Sequence, residues 1–267
     1  MTITGTDRIT AAFQQAQSKQ TAALMPYFTL GYPDATTSLD IVEAIASYSD
    51  LLELGVPFSD PLADGPTVQH STQVSLENGT TTAKCLEMVR QLRQRGVQTP
   101  IMLMGYVNPI LAYGEANYAR DAADAGADGF IVPDLPPEEA EDFDALSAEA
   151  GLSLIHLLAP TSNQSRIDRV AARARGFIYL VSVTGVTGAR SQVRTDLAGF
   201  VNRVRAETAV PLAVGFGIST PAQAAEVGQV ADGVIVGSAF INAVNAGEDK
   251  VEAAVQFVKS LQEALLK

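Results

Sequence analysis

Short apolar runs bounded by Gly, Pro or Asp recur along the whole chain, and they predict eight β-strands. Most of these runs do not alternate with polar residues, which is typical of parallel strands whose outer faces are covered by helices. The predicted strands are Leu24–Leu30, Leu51–Gly55, Pro100–Met104, Gly129–Val132, Ser153–Leu157, Phe177–Val181, Leu212–Val214 and Gly233–Val236.

Segments with a helical spacing of apolar residues separate the strands. They include Ser38–Ala46, Thr82–Arg95, Glu138–Ala150, Arg166–Arg173 and Ala222–Val227, with a leading helix at about Thr6–Ser18 and a last one at about Lys250–Leu266. Strand starts are spaced about 30 residues apart on average, which is one βα unit each. We therefore expect an α/β fold, a (β/α)8 TIM barrel with an additional N-terminal helix. A doubly wound open sheet is the alternative, but eight βα units favour closure.

The gap between the second and third predicted strands is about twice as wide as the others. It contains the Pro- and Asp-rich stretch Val56–Gly65 and two helical segments. Because barrel enzymes keep their catalytic residues at the carboxyl ends of strands, we expect this enlarged loop to belong to the site. No linker or shift in composition interrupts the chain, so we expect one domain over residues 1–267.

Charge and cysteine content limit which partners and which cellular compartment we expect for this chain. With 18 basic and 30 acidic residues the net charge is −12, and neither a nucleic acid nor an anionic membrane is expected to bind such a chain. The single cysteine, Cys85, excludes an internal disulfide and fits a reducing compartment. The first residues lack the basic and apolar regions of a signal peptide, and no apolar run is long enough to span a membrane. We expect a cytoplasmic enzyme.

The catalytic chemistry is narrowed by residue types that are scarce or misplaced. All the lysines lie in predicted helices and in the segments beside them, not at strand ends, which argues against a Schiff-base aldolase and against pyridoxal phosphate. Of the two histidines, His156 lies within an apolar strand and is expected to be a hydrogen-bonded interior residue, and His70 is expected to face solvent. The sequence therefore predicts no metal and no cofactor, and acid–base catalysis by carboxylates remains.

Three carboxylates accompany the second strand and its loop. Glu53 lies near the carboxyl end of the strand between two leucines, a setting that raises the pKa of a carboxyl towards the neutral range, so we interpret it as catalytic. Asp64 precedes Gly65-Pro66 and, taken alone, is expected to cap a helix rather than to act in catalysis. Asp60 could be an ordinary turn residue.

Glycine-rich turns follow the last three predicted strands. They comprise Thr184–Gly188, Gly215–Ser219 and the pair Gly237 and Ser238. Such turns lead into helix starts, where backbone N–H groups and the helix dipole hold phosphate without a lysine. The alternative is that these glycines only make tight turns.

These residues, taken together, resemble a known family. Leu52–Pro66, with the sequence LELGVPFSDPLADGP, resembles the signature of the tryptophan synthase alpha chain. The same holds for Phe28–Asp34, Met104–Pro109, Pro133–Pro136, Thr184–Gly188 and Val214–Ser219, in the right order and over essentially the whole chain.

The resemblance implies a retro-aldol cleavage of indole-3-glycerol phosphate to indole and glyceraldehyde 3-phosphate. It implies Glu53 as the proton shuttle, Asp64 as the partner of the indole nitrogen and Tyr179 beside the two carboxylates. The implied phosphate ligands are Gly188, Gly217, Gly237 and Ser238. Where family members often have Ala-Gly-Asp-Pro, this chain has Leu30-Gly-Tyr-Pro33, which puts Tyr32 at the barrel mouth.

The resemblance also implies a partner, a tryptophan synthase beta chain in an α2β2 complex. The implied interface residues are Pro57, Phe58, Ser59, Asp60 and Asn108. A freestanding lyase that releases indole is the alternative, and a non-catalytic barrel that only activates a partner is disfavoured by the retained carboxylates. The segment 183–193, with glycines as hinges, is expected to close over bound substrate.

Overall fold

The computed structural model describes residues 3–181, 190–215 and 217–266. Its strands are β1 Ala23–Thr29, β2 Leu52–Gly55, β3 Ile101–Met104, β4 Gly129–Ile131, β5 Ser153–Ile155, β6 Leu157–Leu158, β7 Ile178–Val181, β8 Leu212–Gly215 and β9 Gly233–Val236. Its helices are α1 Gly5–Ser18, α2 Ala35–Ala46, α3 Pro66–Glu77, α4 Thr82–Gln94, α5 Val107–Tyr113, α6 Glu115–Ala125, α7 Glu141–Glu149, α8 Gln164–Arg173, α9 Arg190–Arg205, α10 Pro221–Gly228, α11 Ser238–Ala246 and α12 Lys250–Leu265.

The strands form one parallel sheet in the order β5-β4-β3-β2-β1-β9-β8-β7-β6. The two ends of this sheet, β5 and β6, are consecutive in the chain and separated by His156 alone. The N–H of Tyr179 donates to the carbonyl of His156 at 3.0 Å, so at this residue the chain changes partner from β4 to β7. The predicted fifth strand is thus in two pieces, and the sheet is a nearly closed barrel, which confirms the expected fold.

The helices begin where the sequence offers caps, which explains most of their bounds. Asp34 and Thr81 accept hydrogen bonds from the first turns of α2 and α4. Because Asp34 caps its helix, α2 begins at Ala35, earlier than the predicted Ser38. Conversely, α7 begins at Glu141 and not at Glu138, because the N–H of Glu139 closes a turn onto the carbonyl of Pro136 at 2.9 Å.

Apolar side chains fill the barrel and the layer between strands and helices. Leu52 and Leu54 are fully buried on one face of β2, and Glu53 between them projects to the other face. At the amino ends of the strands, Asp128 directly precedes β4 and is ion-paired with Arg8 of α1 and Arg93 of α4 at 3.3 and 2.6 Å. The opposite end, where the strands finish, is left open and carries the candidate site.

Candidate active site

A cavity of about 480 Å³ lies at the carboxyl ends of the strands. Two carboxylates and two tyrosines share it with apolar side chains and two of the glycine turns. Its lining consists of Tyr27, Glu53, Asp64, Gly65, Val68, Met104, Ile131, Pro133, Leu157, Tyr179, Gly217, Ile218, Ser219, Ile235, Gly237, Ser238, Ala239 and Asn242. The apolar members are suited to a flat aromatic group, and the polar ones gather at its edges.

Glu53 is the most perturbed carboxyl of this cavity. Its side chain is 3% exposed, and Oε2 is buried without a hydrogen-bond partner among the described residues. Burial, reinforced by the negative charge of Asp64, raises the pKa of Glu53 to about 8. At neutral pH the group therefore carries a proton that it can give away, as the sequence analysis anticipated.

Asp64 is not the helix cap that the sequence allowed. The N-cap of α3 is Gly65, which makes no side-chain hydrogen bond, and Pro66 is the first helical residue. The carboxylate of Asp64 instead accepts a hydrogen bond from the hydroxyl of Tyr106. Burial raises the pKa of Asp64 to about 6, an effect that this hydrogen bond partly offsets. Asp64 is thus the more acidic of two carboxyls that face one cavity.

Each of two buried tyrosines leans over a glycine of the neighbouring strand. A Cβ atom added to Gly55 would lie 2.2 Å from the hydroxyl oxygen of Tyr27, and one added to Gly215 would lie 2.1 Å from that of Tyr179. Burial raises the pKa of both phenols well above the ordinary value, so both remain neutral. The two glycines keep room for the hydroxyl groups beside the carboxylates.

Sequence reasoning singled out Tyr179 but missed two other tyrosines. Tyr27 is the register partner of Glu53 on β1, and its inward position in the first predicted strand was the available signal. Tyr106 directly follows β3 and is 2% exposed; its oxygen also accepts from the N–H of Ala63 at 3.1 Å. The side chain of Tyr106 therefore supports Asp64 from the start of the segment that follows β3.

Two of the glycine turns contribute to the lining of the cavity. Gly217 has a φ of +76°, a backbone conformation that favours glycine. Gly237 is the N-cap of α11 and makes no side-chain capping bond, and it lines the cavity together with Ser238. Gly188 lies outside the described residues, as does most of the segment 183–193, in which the described chain resumes at Arg190 with α9.

The proposed interface residues occupy the loops after β2 and β3. Ser59, Asp60 and Asn108 are exposed, and the hydroxyl of Ser59 donates to Asp60 at 2.6 Å. Pro57 is buried, and the half-buried Phe58 packs on the ring of Tyr106 with centroids 5.5 Å apart. Sequence reasoning missed two apolar side chains on the same segments: Leu62 is 90% exposed and Leu111 is 54% exposed.

The two histidines lie away from the cavity lining. His156 is buried as expected, but its Nε2 has no hydrogen-bond partner among the described residues, so the expected hydrogen bond is not found at that atom. Burial lowers the pKa of His156, which keeps the ring neutral. His70 is exposed and meets the ring of Tyr32 edge-on at 6.4 Å. Tyr32 itself is buried, and its hydroxyl donates to Asn245 at 2.7 Å.

A comparison with models of protein families identifies the family to which this chain belongs. The model of the tryptophan synthase alpha chain matches residues 13–266. This chain belongs to the tryptophan synthase alpha chain family. A tryptophan synthase alpha chain of Roseiflexus sp. (strain RS-1) is 50% identical over 96% of this chain and 99% of its own length. One of Geobacter sp. (strain M21) is 51% identical over 97% of this chain and 98% of its own length.

Solved structures of the same family share the architecture. The tryptophan synthase alpha subunit of Legionella pneumophila str. Paris superposes with a TM-score of 0.90 at 36% identity, covering 97% of this chain and 98% of that one. A chain of Mycobacterium tuberculosis tryptophan synthase superposes with a TM-score of 0.89 at 38% identity, covering 97% and 98%. In the described part of this alpha chain, no helix has the length and apolarity needed to cross a membrane.

Proposed function

We propose that this alpha chain is the lyase of tryptophan biosynthesis that cleaves indole-3-glycerol phosphate, and that Glu53 moves the protons. The observation that carries the proposal is a buried carboxyl with a pKa near 8, in a cavity that it shares with Asp64 and whose described lining residues include no cation. A general acid that must afterwards act as a base works best when its pKa lies near the working pH.

The cleavage needs one proton given and one taken. The acid form of Glu53 protonates the indole carbon that bears the glycerol side chain, which leaves a positive charge on the ring nitrogen. The resulting carboxylate then takes the proton of the adjacent glycerol hydroxyl. As that oxygen becomes a carbonyl, the carbon–carbon bond breaks, and its electron pair returns to the ring and neutralises the nitrogen. Glu53 ends protonated, so the protein is ready for another turnover.

Asp64 and Tyr179 complete the reacting end of the site. With a pKa near 6, Asp64 is ionised at neutral pH and can accept the indole N–H and stabilise its developing positive charge. Tyr106 fixes this carboxylate from behind. Tyr179 remains neutral and presents its hydroxyl beside the two carboxylates. No metal and no cofactor is needed, because the protonated ring itself receives the electrons.

The phosphate group belongs, in this proposal, at the glycine turns. The uncapped first turn of α11, with Gly237 and Ser238, offers backbone N–H groups and the positive end of a helix dipole. Gly217 contributes a turn residue in a conformation that favours glycine, and Gly188 is the fourth proposed ligand. The Glu53 carboxyl and this anion site line one cavity, as a substrate with an aromatic and a phosphorylated end requires.

We further propose that the partner is a tryptophan synthase beta chain, in an α2β2 complex. Support comes from the loop that joins Glu53 to Asp64, whose exposed residues Ser59 and Asp60 are followed by the almost fully exposed Leu62. A partner that grips this loop also sets the position of Asp64, and small displacements of a catalytic group cost large factors in rate. Pro57, Phe58 and Asn108 would support or extend the contact.

We also propose a single domain, supported by the one continuous sheet, and a cytoplasmic location, supported by the single reduced cysteine.

The test is the release of indole from indole-3-glycerol phosphate by the purified chain, measured with and without a purified beta chain. We expect a slow reaction alone and a faster one in the complex. By linkage, glycerol 3-phosphate should tighten the complex by the same coupling that speeds the reaction. A high rate alone, with no association, would favour the freestanding lyase, and no indole under either condition would refute the lyase.

A further inference from the structure

One side chain of the cavity lining carries hydrogen-bond donors to which the proposed reaction gives no role. Helix α11 contributes Ser238, Ala239 and Asn242 to this lining. Positions 238 and 242 are about one helical turn apart, so they lie on the same face of the helix. Because Asn242 is exposed, its carboxamide is accessible to a ligand that enters the cavity.

The oxygen of this carboxamide is held by helix α3. The hydroxyl of Thr67, in the first turn of α3, donates to Oδ1 of Asn242 at 3.4 Å. The bond joins α11 to the helix that begins directly after Asp64 and Gly65. Since the oxygen of the amide is directed towards Thr67, its NH2 group is directed away from that residue.

The two N–H donors of this NH2 group remain available to a ligand. Within the described part of the chain, Nδ2 of Asn242 makes no hydrogen bond. Side chains of a helix lean towards its amino end, so the amide of Asn242 extends over the turn that begins at Ser238. That turn belongs to the proposed phosphate site, and the free donors of Asn242 are therefore on the face of α11 where the anion is expected.

The charge of the cavity makes an uncharged donor important. Its described lining residues include two carboxyl groups and no lysine, arginine or histidine, and the whole chain has a net charge of −12. A phosphate group in this cavity must therefore be bound mainly by neutral N–H and O–H groups. Hydrogen bonds to a charged acceptor are about twice as strong as those between neutral groups, so each donor within reach adds to the affinity.

We propose that Asn242 is a specificity-determining residue of the substrate site: its Nδ2 donates to the phosphate oxygens of the ligand, while Thr67 holds its oxygen. The inference rests on the proposed function, because the ligand is taken to be a phosphate monoester bound at Gly237 and Ser238. The phosphate keeps its charge while the carbon–carbon bond breaks, so this contact strengthens substrate binding and does not speed the cleavage step.

The test is the calorimetric affinity of the purified chain for glycerol 3-phosphate. Asn242→Leu removes the donors and keeps a side chain of similar size, so affinity should fall by about fivefold to tenfold, the effect of one hydrogen bond to a charged group. Asn242→Asp keeps the shape and adds a negative charge, so affinity should fall on the order of tenfold further. In the lyase assay, Asn242→Leu should raise KM and leave kcat near the wild-type value.

Asn245→Asp is the matched control. Asn245 is exposed on the same helix, outside the cavity lining that the described residues form. Its Oδ1 accepts from the hydroxyl of Tyr32 at 2.7 Å, a bond that an aspartate can also accept. The variant therefore adds the same charge to the same helix and should bind glycerol 3-phosphate normally. Thr67→Val should weaken binding by less than Asn242→Leu does, and should have no further effect in the double variant, because its hydroxyl acts through the amide.

A second ligand separates the phosphate from the glycerol hydroxyls. Indole-3-propanol phosphate carries the phosphate and lacks both hydroxyls, and Asn242→Leu should weaken its binding by the same factor. A loss confined to glycerol 3-phosphate would mean that the amide binds a hydroxyl and would overturn the proposal. Unchanged affinity in both Asn242 variants, or equal losses in Asn242→Asp and Asn245→Asp, would overturn it as well.

The wild-type chain distinguishes this failure from a failure of the proposed function. If the wild type binds neither ligand, the phosphate site itself is refuted, and the proposed function with it. If the wild type binds both ligands and the Asn242 variants bind them equally well, only the role of Asn242 is refuted.

Discussion

Two carboxylates are buried at opposite ends of this barrel, and their surroundings differ in kind. Asp128, before β4, is 1% exposed, pairs with two arginines and accepts the N–H of Ile101 at 2.7 Å. Glu53, on β2, is 3% exposed and faces a cavity with a second carboxyl. Burial raises the pKa of both, but at Asp128 the charges of Arg93 and Arg8 oppose the rise. Burial alone therefore does not mark a reactive carboxyl; a missing countercharge beside a cavity does.

The largest expected difference between the two is catalytic. Glu53→Gln keeps the size of the side chain but cannot carry a proton, so lyase turnover should fall on the order of 10²-fold or more. Asp128→Asn should keep its turnover per folded molecule. The rates are measured with indole-3-glycerol phosphate after circular dichroism has confirmed folding. Wild-type turnover in Glu53→Gln would contradict the catalytic role of Glu53 and its difference from Asp128.

The next largest expected difference between Glu53 and Asp128 is in the pH dependence of stability. The pKa of Glu53 is about 8 in the folded chain and near the ordinary value of 4.5 when unfolded, so between these pH values the folded state binds more protons. Raising the pH through this window therefore destabilises the protein. Glu53→Gln removes this dependence and should be more stable than wild type at pH 8, by on the order of 4 kcal/mol, but not at pH 4.5. Urea unfolding at both pH values measures the difference in unfolding free energy between Glu53→Gln and wild type. The same difference at both pH values would contradict the raised pKa of Glu53.

At the other end, Asp128→Asn should be destabilising at every pH near neutrality. The change leaves Arg93, whose side chain is 15% exposed, without its charged partner. Removing one member of a largely buried pair costs about 3 kcal/mol. The free energy of unfolding from urea titrations is the measurement, with Arg95→Gln as a control, since Arg95 pairs with Asp40 and Glu43 on the surface and such pairs contribute about 1 kcal/mol at most. Equal losses in both variants would contradict the distinction.

The smallest expected effect tests how the end of the barrel that carries Glu53 holds an anion. Gly237→Asp fits sterically, since its Cβ would lie 3.4 Å from that of Tyr27, but it puts a negative charge at the first turn of α11. Affinity for glycerol 3-phosphate, measured by calorimetry, should fall by about tenfold or more, the effect of roughly 1.4 kcal/mol. Gly199→Asp adds the same charge on the exposed face of α9, where a Cβ has open space, and should bind normally. Unchanged affinity in Gly237→Asp would refute the proposed phosphate site.

Features that depend only on neighbouring residues could be predicted from the sequence, whereas features that depend on contacts between distant segments could not. Strand bounds came within a residue or two, because each strand is a short apolar run. The identification of Glu53 needed only a carboxyl at a strand end and the absence of a nearby cation. The break at His156 was not predictable, since it arises where the chain exchanges β4 for β7 as its partner.

The residues that the sequence missed act through contacts between distant segments. Tyr106 looks like part of an outer loop until the fold brings it against Asp64, some forty residues earlier. Tyr27 looks like one more apolar strand residue until the register of β1 against β2 sets it opposite Glu53. The catalytic roles of Glu53, Asp64 and Tyr179, the interface residues, the phosphate ligands and the single domain remain predictions.

The closeness of Tyr27 to Gly55, and of Tyr179 to Gly215, has an evolutionary consequence. With less than 2.5 Å between each hydroxyl oxygen and the place of a new methyl group, no side chain can be added at the glycine while the tyrosine keeps its orientation. A substitution at one position therefore changes which residues are tolerated at the other. Within each pair we expect epistasis, in which a larger residue at position 55 or 215 is accepted only together with a smaller one at 27 or 179. These two pairs should be inherited as units as related sequences diverge.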